Sequence, residues 1–330
     1  MATARAALKV APKNALTLTP NYLAPRKIAA RDLRSDLDLT TDEFRGLLKL
    51  AANVKSTPAP YAHALAGSYV SLLFEKPSLR TRMTFELAVK QLGGDTVTSI
   101  GRIAEREPLK DVARNLDRWT QGIVARTFAQ QTIDDLAHWS KVPVINALSD
   151  MFHPCQALAD FQTLEERFGE LYGLKLAFSG DGNNVAHSLM LCAARLGVHF
   201  SIATPKGYEP QPEVVKQAMD LAAETGSRIV ITSDPAEAVA GAHAVYTDVW
   251  TSMGQETETL PRRVLFRPWQ VNEELMAKAR PEAIFMHCLP AHRGDEVSDA
   301  VIESAQSVVF EQAENRLHAQ KALLLMLLCH

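Results

Sequence analysis

From about Leu39 onward, apolar residues follow two alternating rhythms. A helical spacing runs from Thr41 to Lys55, and then the apolar run Tyr69 to Phe74 (YVSLLF) reads as a buried strand. A polar loop follows, and then a second helix in which Met83, Leu87 and Leu92 recur at helical spacing up to Gly93-Gly94. Residues 122–127 and 142–146 are short apolar runs of strand length, and the rhythm resumes with strands near 174–179, 198–204, 228–232, 244–249 and 283–288. Strands separated by helices favour parallel sheets with helices on both faces. The expected fold class is therefore α/β, with two doubly wound parallel-sheet domains. Their boundary is placed near residues 149–153, where a strand ends and a helix carrying Leu158, Phe161, Leu164 and Phe168 begins. This gives domains at 32–150 and 151–311.

The 330-residue length suits two cores, and 47% hydrophobic with 22% charged residues is an ordinary globular composition. A net charge of −3 offers no overall field for nucleic acid or an anionic membrane, so neither is an expected partner. An anionic ligand would have to be held by locally placed arginines and helix starts. Cys155, Cys192, Cys288 and Cys329 form no CxxC pair, so neither a structural zinc site nor a disulfide framework is expected. The longest apolar run, residues 322–329, is too short to span a membrane and reads as a buried terminal helix. A reducing, cytoplasmic setting is the default. Residues 1–31 hold six basic residues and no Asp or Glu, which fits either an untargeted basic leader or an import presequence.

Candidate chemistry begins after the YVSLLF strand. In Ser78-Leu79-Arg80-Thr81-Arg82, Ser78 is placed to cap the following helix, whose free N–H groups at residues 79–81 and Arg80 fork would form an anion socket. No Walker GK[ST] run occurs. Arg126 ends another strand, where a buried guanidinium needs an anion or carboxylate. In His153-Pro154-Cys155-Gln156, proline at the first helical position puts His153 at the N-cap and Gln156 in the first turn. A helix start lowers a histidine's pKa, leaving a neutral imidazole able to donate to a polarised carbonyl. Taken singly, each feature has a plain structural explanation as an ordinary cap or a paired arginine.

In the second half, Gly180-Asp181-Gly182-Asn183-Asn184 lies between a strand and a helix. A dinucleotide site is excluded because Val185 occupies the third glycine position and no acid ends the next strand. Asn184, Asp248 and Ser252 could instead supply the donors and acceptor that an amino acid's carboxylate and ammonium require. Asp248 could equally cap a turn, Met253 fill core, and Cys288 be a small buried hydrophobe.

Taken in order and at these separations, the Ser78–Arg82 run, Arg126 and His153–Gln156 resemble the carbamoyl phosphate signature of the aspartate/ornithine carbamoyltransferase family. Residues 248–254 and His287-Cys288-Leu289-Pro290 resemble that family's SMG loop and HCLP motif. The resemblance runs from about Asp32 to the C-terminus. It implies carbamoyl transfer from carbamoyl phosphate to the side-chain amine of ornithine, with no cofactor and no metal. Ser78, Leu79, Arg80, Thr81 and Arg126 would hold the phosphate, and Thr81, Arg126, His153, Gln156 and Arg316 would surround the carbamoyl group. Asn184, Asp248, Ser252 and Met253 would bind ornithine's head group, with Cys288 and the Leu289 carbonyl beside the reacting amine. Asp248 and Cys288 would orient that amine and relay its proton. A C-terminal helix, 312–330, would return to the first domain, and a homotrimer is the implied minimum assembly. One departure falls at Arg102-Ile103-Ala104, where many relatives have Gln or His followed by Leu-Gly, which bears on contacts between subunits. Other acceptors (an N-acylornithine or putrescine) and a non-catalytic paralogue are the competing readings. Against the last, Arg80 and Arg126 are both retained.

Overall fold

The computed structural model describes residues 22–251, 257 and 259–329. Two fully parallel sheets organise them. The first has the order β2-β1-β3-β4, built from β1 (Tyr69–Phe74), β2 (Asp95–Ile100), β3 (Gly122–Arg126) and β4 (Val144–Leu148). The second has the order β7-β6-β5-β8-β9, built from β5 (Lys175–Ser179), β6 (His199–Ala203), β7 (Ile229–Thr232), β8 (Ala244–Thr247) and β9 (Ile284–His287). Helices cover both faces, as the unbroken apolar strands require. Eight of the nine strands coincide with apolar runs identified in the sequence. The ninth, β2, is an edge strand paired only with β1, and its half-polar DTVTSI sequence carries little strand signal.

Helix α1 (Thr41–Ser56) starts with a reciprocal cap: the Thr40 hydroxyl accepts from the Glu43 N–H while the Glu43 carboxylate accepts from the Thr40 N–H. Helix α2 (Arg80–Gln91) departs from expectation at two points. Its first turn begins after Leu79 with no side-chain cap, so Ser78 is not the N-cap. The face turned to the core carries Thr81, Phe85, Ala88 and Val89, whereas Met83 and Leu87 are exposed and only Leu92 of the expected stripe is buried. The helix carries two apolar stripes, and the sequence alone favoured the wrong one.

Helix α5 (Pro154–Phe168) has His153 at its N-cap and Pro154 in its first turn, as anticipated. Helix α6 is Asn184–Leu196, and α12 (Val309–Leu328) packs on α1, α2 and α5, returning to the first sheet. Residues 22–31 also lie against this half: Ile28 is buried, and the Ala29 N–H donates to Glu43 (2.6 Å). One apolar core joins both sheets through α5 and α12, from Val70, Leu72 and Val124 to Leu176, Phe200 and Met286.

Connectivity already indicates where a ligand can sit. In open parallel sheets the crevice opens at the C-terminal ends of strands whose connections diverge. Those strands are β1 and β3 in the first sheet and β5 and β8 in the second.

Candidate active site

The strand ends face one another across a cleft of about 910 Å³. From the first half, Ser78, Leu79, Arg80 and Thr81 follow β1, Arg126 ends β3, and His153 and Gln156 open α5 after β4. Arg316 reaches the same wall from α12. From the second half come Asn184 after β5, Asp248 after β8, and Cys288 and Leu289 after β9. Twelve of the expected site residues thus share one cleft. Ser252 and Met253 lie outside the described residues.

The first wall is cationic. Arg316 is buried and donates to the Thr81 hydroxyl (2.6 Å), while its Nε has no hydrogen-bond partner among the described residues. Burial, and then the charge of Arg316, lower the Arg126 guanidinium to about 10, and burial also lowers Arg80. Holding guanidinium groups close together in a low-dielectric wall is unfavourable unless an anion joins them. His153 is buried, and its Nδ1 has no partner among the described residues. Its pKa is held well below the ordinary value, by burial first and then by Arg316 and Arg126, so the ring is neutral at pH 7. The neutral imidazole was expected; its cause is desolvation and guanidinium charge rather than the helix start.

The second wall is internally paired. Asp248 accepts from the Asn183 amide (2.8 Å), from its neighbour's N–H at Val249 (2.8 Å) and from the Cys288 thiol (3.0 Å). Burial and the adjacent Asp248 push the Cys288 thiol well above its ordinary pKa. Cys288 is therefore a donor to Asp248, not a thiolate. Asn183, grouped with Asn184 in the sequence but given no role of its own, also caps α6 by accepting from the Val185 and Ala186 N–H groups (3.0 and 3.1 Å). Asn184 donates to the Ser149 carbonyl (2.6 Å), tying the second half to the first.

Further supports have no local sequence signature. The His287 Nδ1 accepts from the Leu289 N–H (2.8 Å), so its Nε2 donates to the buried Glu296 (3.2 Å). This holds Leu289 in a left-handed backbone (φ 57°) at the cleft. Arg262 pairs with Asp181 (2.7 Å) and lies over the Tyr208 ring (4.8 Å). Gly182 is required by close approach: a Cβ there would overlap the Pro210 backbone nitrogen. The glycine thus accommodates this chain's own backbone, in keeping with the rejected dinucleotide reading.

Ligand atoms of Asp248, His287 and Cys288 lie within 4.8 Å of one another and could hold a metal ion. Binding one would compete with the His287 and Asp248 hydrogen bonds just described.

Comparison with known proteins bears on the whole chain. The family profile described as the aspartate/ornithine carbamoyltransferase carbamoyl-P binding domain matches residues 31–166, and that of the Asp/Orn binding domain matches residues 172–327. The chain belongs to the aspartate/ornithine carbamoyltransferase family. Within it, an ornithine carbamoyltransferase of Thermococcus kodakarensis is 49% identical over 307 residues, covering 91% of this chain and 97% of that protein. One from Synechocystis is 50% identical over 307 residues, covering 92% and 98%. The solved structure of ornithine carbamoyltransferase from Pyrococcus furiosus superposes with a TM-score of 0.89 at 46% identity, covering 92% and 98%. Carbamoyltransferases of this family thus share the chain's two-sheet fold over nearly its full described length.

Proposed function

We propose that this chain transfers the carbamoyl group of carbamoyl phosphate to the side-chain amine of L-ornithine, giving L-citrulline and phosphate. The observation that carries the reading is the polarity of the cleft: Arg80, Arg126 and Arg316 line one wall, and the carboxylates Asp181, Glu209 and Asp248 line the other, Asp181 being paired with Arg262.

Residues Ser78–Thr81 with Arg126 hold the phosphate. Thr81, Arg126, His153 and Arg316 offer donors to the carbamoyl oxygen, and Gln156 faces the carbamoyl amide. Attack by the amine nitrogen on the carbamoyl carbon moves charge onto that oxygen, where fixed donors in a dry site stabilise it. Collapse breaks the carbon–oxygen bond to phosphate, which leaves as the dianion. The ammonium must first lose a proton, and Asp248 is the acceptor, with the departing phosphate as a second. Cys288, as a thiol, aligns Asp248 and flanks the amine together with the Leu289 carbonyl. Asn184, Ser252 and Met253 complete the ornithine head-group site. Residues 32–150 with the C-terminal helix form the carbamoyl phosphate domain, and 151–311 the ornithine domain.

The assembly we propose is a homotrimer. The exposed apolar Leu79, Met83 and Leu87 along α2, with Val97 and Ile100 on β2, supply a surface suited to a second copy. No helix among the described residues is long and apolar enough to cross a membrane. A role in arginine metabolism follows from the proposed reaction, and the scattered cysteines with no CxxC pair favour a reducing, cytoplasmic compartment.

A colorimetric citrulline assay with ornithine, N-acetylornithine, succinylornithine and putrescine tests the acceptor. Turnover with ornithine alone is expected. Turnover only with another amine, or none, overturns the reading.

A further inference from the structure

Beneath the cleft floor lies a buried polar cluster in which Asp160, Tyr246 and Gln312 stand behind the cleft-lining Gln156. Asp160 sits one turn beyond Gln156 on α5 and is fully buried. Its Oδ1 accepts from Gln156 Nε2 (2.8 Å) and Gln312 Nε2 (2.6 Å), and its Oδ2 from the Tyr246 hydroxyl (3.2 Å). Gln312 Nε2 also lies 3.0 Å from the Tyr246 hydroxyl, and Gln312 Oε1 accepts the His287 N–H (3.0 Å).

Donor and acceptor logic fixes every orientation in this cluster. A backbone N–H can only donate, so Gln312 must turn its oxygen to His287 and its nitrogen to Asp160. An ionised carboxylate can only accept, so Gln156 must likewise give its nitrogen to Asp160. The Gln156 oxygen then has no partner among the described residues, and Gln156 lines the cleft. Without Asp160, the primary amide could turn over at almost no steric cost and exchange its two ends.

We propose that Asp160 is a positioning residue: held by Gln312 and Tyr246, it fixes the Gln156 amide so that Oε1 receives the carbamoyl N–H. A carbamoyl group is nearly symmetric in shape but not in polarity. An acceptor at Gln156 admits only the orientation in which the carbamoyl oxygen points toward Arg126 and His153. A flipped Gln156 would present a donor, favour the reversed orientation and leave the developing oxyanion without its donors. Burial pushes the Asp160 carboxyl up to about 7, against the pull of its three donors and of Arg316. Assays are therefore run at pH 8.

The proposal rests on the carbamoyltransferase reading, and a mutant cycle separates the two. Asp160→Asn, whose amide can donate as well as accept, is made in the parent and in a Gln156→Ala background. In the parent, kcat should fall roughly tenfold and KM for carbamoyl phosphate should rise, with KM for ornithine within about twofold. In the Gln156→Ala background the same change should alter kcat by less than about twofold, because no amide remains to orient. An equal loss in both backgrounds, or no loss in the parent, overturns the proposal. If Asp160→Asn does not fold, Tyr246→Phe enters the same cycle. About a threefold loss in the parent that vanishes without Gln156 is then expected, and a loss that persists is fatal. Failure of the underlying reading would look different: the parent itself would form no citrulline.

Discussion

The two walls of the cleft solve opposite electrostatic problems. The carbamoyl phosphate wall sets Arg316 close enough to Arg126 to lower its pKa, and both lower that of His153, while the Arg316 Nε and the His153 Nδ1 have no hydrogen-bond partner among the described residues. On the acceptor wall, Asp248 is surrounded by donors from Asn183, Val249 and Cys288. One wall needs an anion to become favourable, whereas the other is satisfied within the chain. Binding energy should therefore concentrate on the cationic wall, and proton handling on the acidic one.

Removing a cation offers the sharpest test of that division. Arg80→Ala should lower kcat/KM roughly a thousand-fold and abolish the calorimetric heat of carbamoyl phosphate binding. Retained heat would erase the distinction between the walls. Next in size, Asp248→Asn should lower kcat/KM for ornithine roughly a hundred-fold, with the Kd of carbamoyl phosphate measured alone unchanged. A weakened carbamoyl phosphate Kd would mean that the walls are not separable.

Cys288→Ala should cost about tenfold or less in kcat, because it removes a donor that aligns Asp248 rather than a nucleophile. The pH profile of kcat/KM should keep its shape. Loss of an alkaline limb would make the thiol an ionising participant, against the raised pKa.

The last effect leaves turnover untouched and concerns the stability of the seam between the halves rather than either wall. Asp36 is buried where the Ser188 hydroxyl (2.5 Å) and the Cys192 thiol (3.2 Å) donate to it, and burial raises it from 3.8 to about 6. Because the folded chain keeps this proton where the unfolded chain has lost it, the stability contribution declines as pH rises from about 4 to about 6. Relative to Asp36→Asn, the parent should lose ~1–3 kcal/mol between pH 4 and pH 7, measured by denaturant unfolding. A difference that grows with pH would show the carboxylate, not the acid, to be the stabilising form.

How much of this was legible in the sequence follows from how local each signal is. Parallel strands buried on both faces announce themselves as apolar runs, and the Ser78–Arg82 and His153–Gln156 segments act within a few residues of one another. Helix α2 misled because Met83 and Leu87 form a second apolar stripe that a single chain leaves exposed. The cap assigned to Ser78 failed because the helix starts at Arg80 instead. Supports beneath the site were invisible for a different reason: Tyr246 and Gln312 meet Asp160 across 86 and 152 residues of chain. No spacing rule reaches that far. The role of Cys288 also depended on distant geometry, since only its contact with Asp248 distinguishes a donor from a nucleophile.

Helix α5 has one further consequence. Its buried face, including Leu158, Phe161 and Leu164, belongs to an apolar core shared by both sheets. Parting the two halves would expose that face to water, so neither can melt while the other stays intact. A scanning calorimeter should therefore record one endotherm for this two-sheet chain, and the first cut of a protease that needs unfolded substrate should be followed by loss of the whole molecule rather than release of a stable half.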